Sequence, residues 1–185
     1  MINPIKHFLW SLYYKNDEWF DILDPDGKVI GEAPRTVCHR APGLLHPVVH
    51  LQLTGPGNTL YLQKRSMRKK IQPGKWDTAV GGHLDRGEMV ETGLRREALE
   101  ELGISGFMPT FLSTYIWECP AESEMVNSFS TFWDGPINTD PAEIEEGRFW
   151  HFEEIDENLG KGIFTPNFEY EYRMLSSELK HLIIR

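Results

Sequence analysis

Three glutamates, Glu97, Glu100 and Glu101, fall at i, i+3 and i+4 inside the segment GGHLDRGEMVETGLRREALEELGI, Gly81 to Ile104. On a helix this spacing brings the three carboxylates to one face. Ionised carboxylates that close repel one another, and the cluster is costly unless a cation neutralises it. Hard divalent ions with oxygen ligands do so, Mg2+ or Mn2+ first among them. With no His or Cys in the cluster, zinc fits less well. Arg96 adjoins the first acid and Glu88 lies one turn before the helix. An Arg96–Glu88 ion pair would therefore fix the loop–helix junction. A second group is the basic run Lys64, Arg65, Arg68, Lys69, Lys70 and Lys75, with no acid between them. Arg65, at a strand end, and Lys70 are the candidates to grip substrate phosphates, as a bidentate fork or a point charge. The plain alternatives are a solvated helix face for the acids and a solvated loop for the basic run.

The elements that must position these residues are legible in the pattern. Val90, Leu94, Ala98 and Leu102 recur every fourth residue, which predicts a helix over Met89 to Leu102 with a buried stripe opposite the acids. Gly103 stands where a C′ glycine would stop it. Upstream, Glu18 to Leu23 and Lys28 to Gly31 flank Asp24-Pro25-Asp26-Gly27 as a hairpin. His46 to Leu53, Thr59 to Gln63 and Trp76 to Val80 read as strands, the last ended by Gly81-Gly82, with Lys64 to Lys75 as an exposed loop. Downstream come strands over Phe107 to Glu118 and Met125 to Trp133 joined by a polar loop, then Gly147 to Phe152. Helices follow over Glu153 to Leu159 and Asn167 to Ile184. The sum is a mixed sheet covered by helices, without repeats or a linker that would split the chain.

A chain of 185 residues with 40% hydrophobic residues suffices for one core, which excludes a disordered segment. Lys and Arg number 19 against 28 Asp and Glu, for a net charge of −9, so nucleic acid is not an expected partner. Small phosphorylated substrates remain open, because bound cations reverse the local sign. Cys38 and Cys119 have neither metal nor disulfide-framework spacing and read as buried thiols of a cytoplasmic protein. His7 to Tyr14 is too short and too polar for a signal h-region, and no apolar run has the length of a membrane span.

Gly82, five residues, Glu88, seven residues, Arg96-Glu97, two residues, Glu100-Glu101, one residue, Gly103 and apolar Ile104 reproduce the Nudix box. Seven fixed letters would meet by chance on the order of once in a million such chains. The sequence thus resembles the Nudix hydrolases over Leu45 to Leu159. The resemblance implies an α/β/α sandwich with a mixed sheet, here extended by an N-terminal hairpin. It implies one Nudix domain over residues 1–185, with an N-terminal extension over 1–44, a core over 45–160 and a C-terminal helix over 161–185. It also implies cleavage of a diphosphate linkage by attack of water at phosphorus. By position, Glu97, Glu100, Glu101 and the Gly82 carbonyl would bind the divalent metals, and Arg96 and Glu88 would support them. The base would be Glu97 or a later acid, for which Glu146 is the choice, with a plain surface charge as the alternative.

The flanking segments EWFDILDPDGKVIG, HRAPGLLH and LQKRSMRKKIQPGKWDTAVGGH resemble a narrower branch, that of the isopentenyl diphosphate isomerases. In those enzymes histidines placed like His39, His46 and His83 hold a metal together with two glutamates of a later strand, and a cysteine occupies the place of Gly81. Aligning MVNSF on that strand sets Val126 and Ser128 in the glutamate positions. Gly81 has no ionisable group, so proton shuffling lacks an acid or base there, and a hydrolase is the expectation. The alternatives are an isomerase-like enzyme and a non-catalytic Nudix binder. Trp76, Tyr115, Trp117 and Phe129 are candidates to stack on a base, or core residues. The N-terminal hairpin makes a homodimer plausible.

Overall fold

The computed structural model describes residues 4–40 and 43–182. Ala41 and Pro42 of the HRAPGLLH segment, and the end of the last expected helix at Ile183 and Ile184, lie outside them. The elements in order are α1 Pro4–Tyr13, β1 Trp19–Leu23, β2 Val29–Pro34, α2 Arg35–Cys38, β3 Leu45–Gly55, β4 Thr59–Arg65, β5 Trp76–Asp77, β6 Val80–His83, α3 Val90–Leu102, β7 Thr110–Cys119, β8 Glu122–Phe132, β9 Ile144–His151, α4 Phe152–Asn158 and α5 Pro166–Leu182. This is a mixed α/β fold. β1 and β2 form the expected hairpin, and a seven-stranded sheet runs β5-β4-β3-β8-β7, with β6 paired to β3 and β9 to β4. The described residues gather into two compact units.

The first unit contains the chain up to Val49, Gly82–Gly93 and Ser113–Asn127. Its hairpin turn is built by Asp24, whose carboxylate accepts the backbone N–H groups of Asp26 and Lys28 at 3.1 and 2.9 Å. Phe20, Ile22, Ala33 and Cys38 form a small core under this turn, with Trp10, Ile30, Val37 and Leu44 against it. Val48, Tyr115 and Val126 make a second cluster, flanked by Trp117. The second unit contains His50–Gly81, Leu94–Leu112 and the chain from Ser128. Its core sets Leu60 and Leu62 of β4 and Trp150 of β9 against Phe168, Tyr172 and Leu175 of α5. Trp76 packs edge-on against Trp150, with ring centroids 5.0 Å apart, so it belongs to this core.

Several expectations are corrected in detail. The strand read over Trp76 to Val80 is two short ones, interrupted at Thr78 and Ala79, where the Asp77 carboxylate accepts Thr78 N–H at 2.9 Å and the Thr165 hydroxyl at 2.8 Å. Gly81 and Gly82 do not end a strand; they lie inside β6. Lys64 and Arg65 belong to β4, and the polar loop after β7 shrinks to Pro120-Ala121. Cys119 is half-buried, whereas Cys38 is buried. Helices α1 and α2 were not read from the sequence. Helix α3 starts one residue later than expected, at Val90; of the expected stripe Leu94, Ala98 and Leu102 are fully buried and Val90 is half-buried. Gly103, at φ +65, ends it by donating to the Leu99 carbonyl at 3.0 Å.

Gly93 sits in the first half of α3, where glycine costs roughly 0.5–1 kcal/mol relative to alanine by propensity. A Cβ there would stand 2.1 Å from Leu84 Cδ2 and 2.9 Å from Glu88 Oε2, so the packing demands its absence. Overpacking of this kind costs about 1–3 kcal/mol, which exceeds the propensity gain. Gly93→Ala is therefore expected to lower the urea midpoint at an unchanged slope. A raised midpoint would show that propensity dominates.

Candidate functional site

Within the second unit, Arg96 Nη1 donates to Glu97 Oε1 at 2.8 Å and to Glu100 Oε2 at 3.2 Å, gathering two of the three acids. Glu97 is mostly covered, and Glu100 is 59% exposed at its side chain. Glu101 departs from the expected polar face, because its side chain is buried. The residue that makes this possible is Gln63 of β4, which sequence reading missed. Its amide donates to Glu101 Oε2 at 2.8 Å and to the Ala79 carbonyl at 3.1 Å. The backbone N–H of Gly81 also donates to Glu101. Burial, and next the charge of Glu97, push the Glu101 carboxyl up to about 7, against the opposing pull of Gln63, Lys69 and the Gly81 N–H. An oxygen-only cluster with one buried member fits a hard divalent cation, which would supply the missing positive charge.

The other expected residues of this unit are placed as follows. Arg65 donates to Asp77 Oδ2 at 3.1 Å and to the Ile71 carbonyl at 3.2 Å, which closes the loop between β4 and β5. Lys70 is exposed on that loop, and Lys69 pairs with Glu143. Glu146 does not lie in a loop ahead of β9. It is an exposed residue of the strand itself, opposite Lys64 in the register with β4. One further pair was not foreseen. His50 Nδ1 lies 2.7 Å from Glu171 Oε2, both residues buried.

Within the first unit, Gly82 is buried in β6, and Glu88 caps a turn by accepting Asp85 N–H at 3.0 Å. This unit also carries a nitrogen-rich cluster. His39, His46 and His83 each present a ring nitrogen within 4.8 Å of the others. His46 Nδ1 donates to the Leu44 carbonyl at 2.9 Å, which leaves the lone pair on Nε2. That atom is buried and has no hydrogen-bond partner among the described residues. Burial, and next the neighbouring His46, push His39 down to about 4; burial also lowers His46, so both rings are neutral donors. The expectation that Val126 and Ser128 stand where glutamates would complete this set is overturned. Glu122 and Glu124 of β8 lie 4.0 Å from His39 Nδ1 and 3.7 Å from His83 Nε2. Their i, i+2 spacing on a strand puts both on one face, the signal that would have found them. An orphaned buried imidazole nitrogen among neutral histidines fits a transition-metal ion.

The raised Glu101 fixes a pH dependence. Its folded-state value lies above the ordinary 4.5, so the unfolded chain loses this proton first. The penalty on the folded state therefore sets in above 4.5, grows with rising pH and is complete above about 7. Thermal unfolding of the metal-free protein should show stability falling from about pH 5 to about pH 8. Glu101→Gln should flatten that slope, and an equal slope in the variant would refute the assignment.

Comparison with known proteins agrees with this geometry. A NUDIX domain model matches residues 44–168. An uncharacterised Nudix hydrolase, orf19 of Rhodococcus erythropolis, is 34% identical over 153 residues, 77% of this chain and 82% of the relative. An isopentenyl-diphosphate Delta-isomerase of Streptomyces griseus is 30% identical over 154 residues, 80% of this chain and 78% of the relative. The crystal structure of DR0079 from Deinococcus radiodurans shares the fold with a TM-score of 0.73 at 23% identity, covering 85% of this chain and 98% of that one. The described residues contain no helix long and apolar enough to cross a membrane. With the box residues on α3 as described and the family match spanning most of the chain, this protein belongs to the Nudix family of pyrophosphohydrolases.

Proposed function

We propose that the chain is a Mg2+- or Mn2+-dependent hydrolase of a nucleoside diphosphate-X type or related small phosphorylated substrate, cleaved by attack of water at phosphorus. The observation that carries this reading is the buried Glu101 carboxylate beside Glu97, held by Gln63 and the Gly81 N–H. Such a group is disfavoured unless a cation joins it. Glu97, Glu100 and Glu101 would hold the ion, which when bound activates water and neutralises charge on the phosphoryl oxygens. Arg96, donating to both, would orient Glu97 and Glu100. Lys70, exposed on the loop after β4, would be the residue to meet a phosphate, while Arg65 holds the base of that loop.

A second reading, isopentenyl-diphosphate isomerase chemistry, is favoured by the His39–His46–His83 cluster with Glu122 and Glu124. Gly81 weighs against it, since no side chain there can exchange a proton.

Two outcomes follow. In a hydrolysis screen over nucleoside diphosphate sugars, dinucleotides, nucleoside triphosphates and prenyl diphosphates, turnover should require the divalent ion. Glu100→Gln, on an exposed side chain, should lower kcat by at least about 10²-fold without loss of folding. Full activity in excess chelator would refute the reading. Incubation with isopentenyl diphosphate in deuterated water, followed by NMR, should yield no dimethylallyl diphosphate. Its formation at a catalytic rate would establish the second reading instead.

A further inference from the structure

Three consecutive residues of β1 reach the segment that runs from His83 to Gly87. Phe20 stacks on the His83 ring with centroids 4.7 Å apart, the Trp19 carbonyl accepts the Arg86 N–H at 2.9 Å, and the Asp21 carboxylate accepts the Gly87 N–H at 2.9 Å. From β2, both carboxylate oxygens of Glu32 accept Arg86 Nη1, at 3.1 and 3.0 Å. All of these residues belong to the first unit.

The register of the hairpin sets Asp21 directly opposite Glu32. Like charges facing each other across a strand pair repel and weaken the pairing. Phe20, Ile22 and Ala33, which alternate with the two acids, fill the small core, so neither acid is needed for packing. What offsets the repulsion lies outside the hairpin. It is Arg86, the Gly87 N–H and His7, whose Nε2 stands 2.5 Å from Glu32 Oε1. The acid pair is thus accounted for by what it holds.

What it holds is the centre of a turn. Glu88 N–H donates to the Asp85 carbonyl at 2.9 Å, which makes Arg86 and Gly87 the two central residues. Gly87, at φ +73, supplies the left-handed conformation that a type II turn takes there. Glu88 closes the turn a second time by accepting Asp85 N–H at 3.0 Å. The hairpin therefore fixes the path by which the chain passes from Gly82 to Glu88, two residues of the box.

We propose that the N-terminal hairpin is a positioning element of the box, with Asp21 and Glu32 as positioning residues that act through Gly87 and Arg86 on the placement of Glu88 and Gly82; this rests on the hydrolase reading above. Neither acid touches the reacting atoms. Partly exposed ion pairs add little stability, so the Glu32–Arg86 contact serves placement rather than folding.

Asp21→Ala removes the acceptor of the Gly87 N–H, and Glu32→Gln removes the charge opposite Arg86. Each should lower kcat about 10-fold and raise the Mn2+ concentration for half-activation about 10-fold, with substrate KM within about threefold, as loss of an outer partner of a metal site does. Asp21→Asn keeps an acceptor oxygen and should restore kcat to within about threefold of wild type. The double variant Glu32→Gln/Arg86→Gln should be no slower than Glu32→Gln, because the acid acts through the arginine. Should either hairpin variant fail to fold, Arg86→Gln makes the same test from the turn. Two readouts are independent of turnover. Mn2+ affinity by EPR, taken for the component that Glu100→Gln abolishes, should weaken about 10-fold in Asp21→Ala. Hydrogen exchange of the Gly87 amide should be slow in the wild type and fast in Asp21→Ala, with the hairpin amides still protected. Equal losses in Asp21→Ala and Asp21→Asn, or wild-type kcat and Mn2+ affinity in both Asp21→Ala and Glu32→Gln, would overturn the proposal. Loss of Gly87 protection in a protein that cleaves no diphosphate would keep the hold of the hairpin on the turn and discard the hydrolase reading alone.

Discussion

The burial of one carboxylate governs this molecule's chemistry. Helix α3 turns Leu94, Ala98 and Leu102 into the core, and Glu101 is carried inward with them. An acid in that position is tolerated because Gln63 and the Gly81 N–H meet it, and those donors come from two different strands. Neither donor carries a full charge, so the electrostatic deficit remains for a cation to fill. Strand placement, helix phase and metal demand are thus one constraint. Gln63 also holds the Ala79 carbonyl, so the same amide fixes the approach to β6.

The two donor sets differ in kind. The acids of α3 are oxygen ligands tied to an arginine, suited to an ion that keeps part of its water shell. Of the clustered histidines of the first unit, His46 and His83 stack on Phe20, with their own ring centroids 5.3 Å apart. Such a set would suit a softer ion.

The helix of the box was legible because its period and its terminal glycine are local signals. Leu94, Ala98, Leu102 and Gly103 stand as their spacing requires. The hairpin was legible from Asp24 to Gly27 for the same reason. Long-range partnerships were not. Gln63 reaches Glu101 across 38 positions and His50 reaches Glu171 across 121, and no periodicity encodes such pairs. The misplaced glutamates show a different limit. Aligning MVNSF shifted the strand and lost Glu122 and Glu124, although their alternation on one face was available. Glu146 was read as lying ahead of the strand because β9 starts without a strong marker.

Gln63 is followed directly by Lys64, and the register with β9 shifts between Lys64 and Arg65. Successive strand residues face opposite ways, so a slip of β4 by one residue would exchange an amide for an ammonium at the inner face. Lys64 would then lie toward Glu101 and quench the very charge deficit that calls for a metal. The extra residue is Glu145 on β9, opposite the end of β4 and beyond Gln63, so the irregularity spares the stretch where the slip would matter. Fidelity of strand registration during folding is therefore also fidelity of metal competence, and a misregistered chain would be compact, well paired and inert.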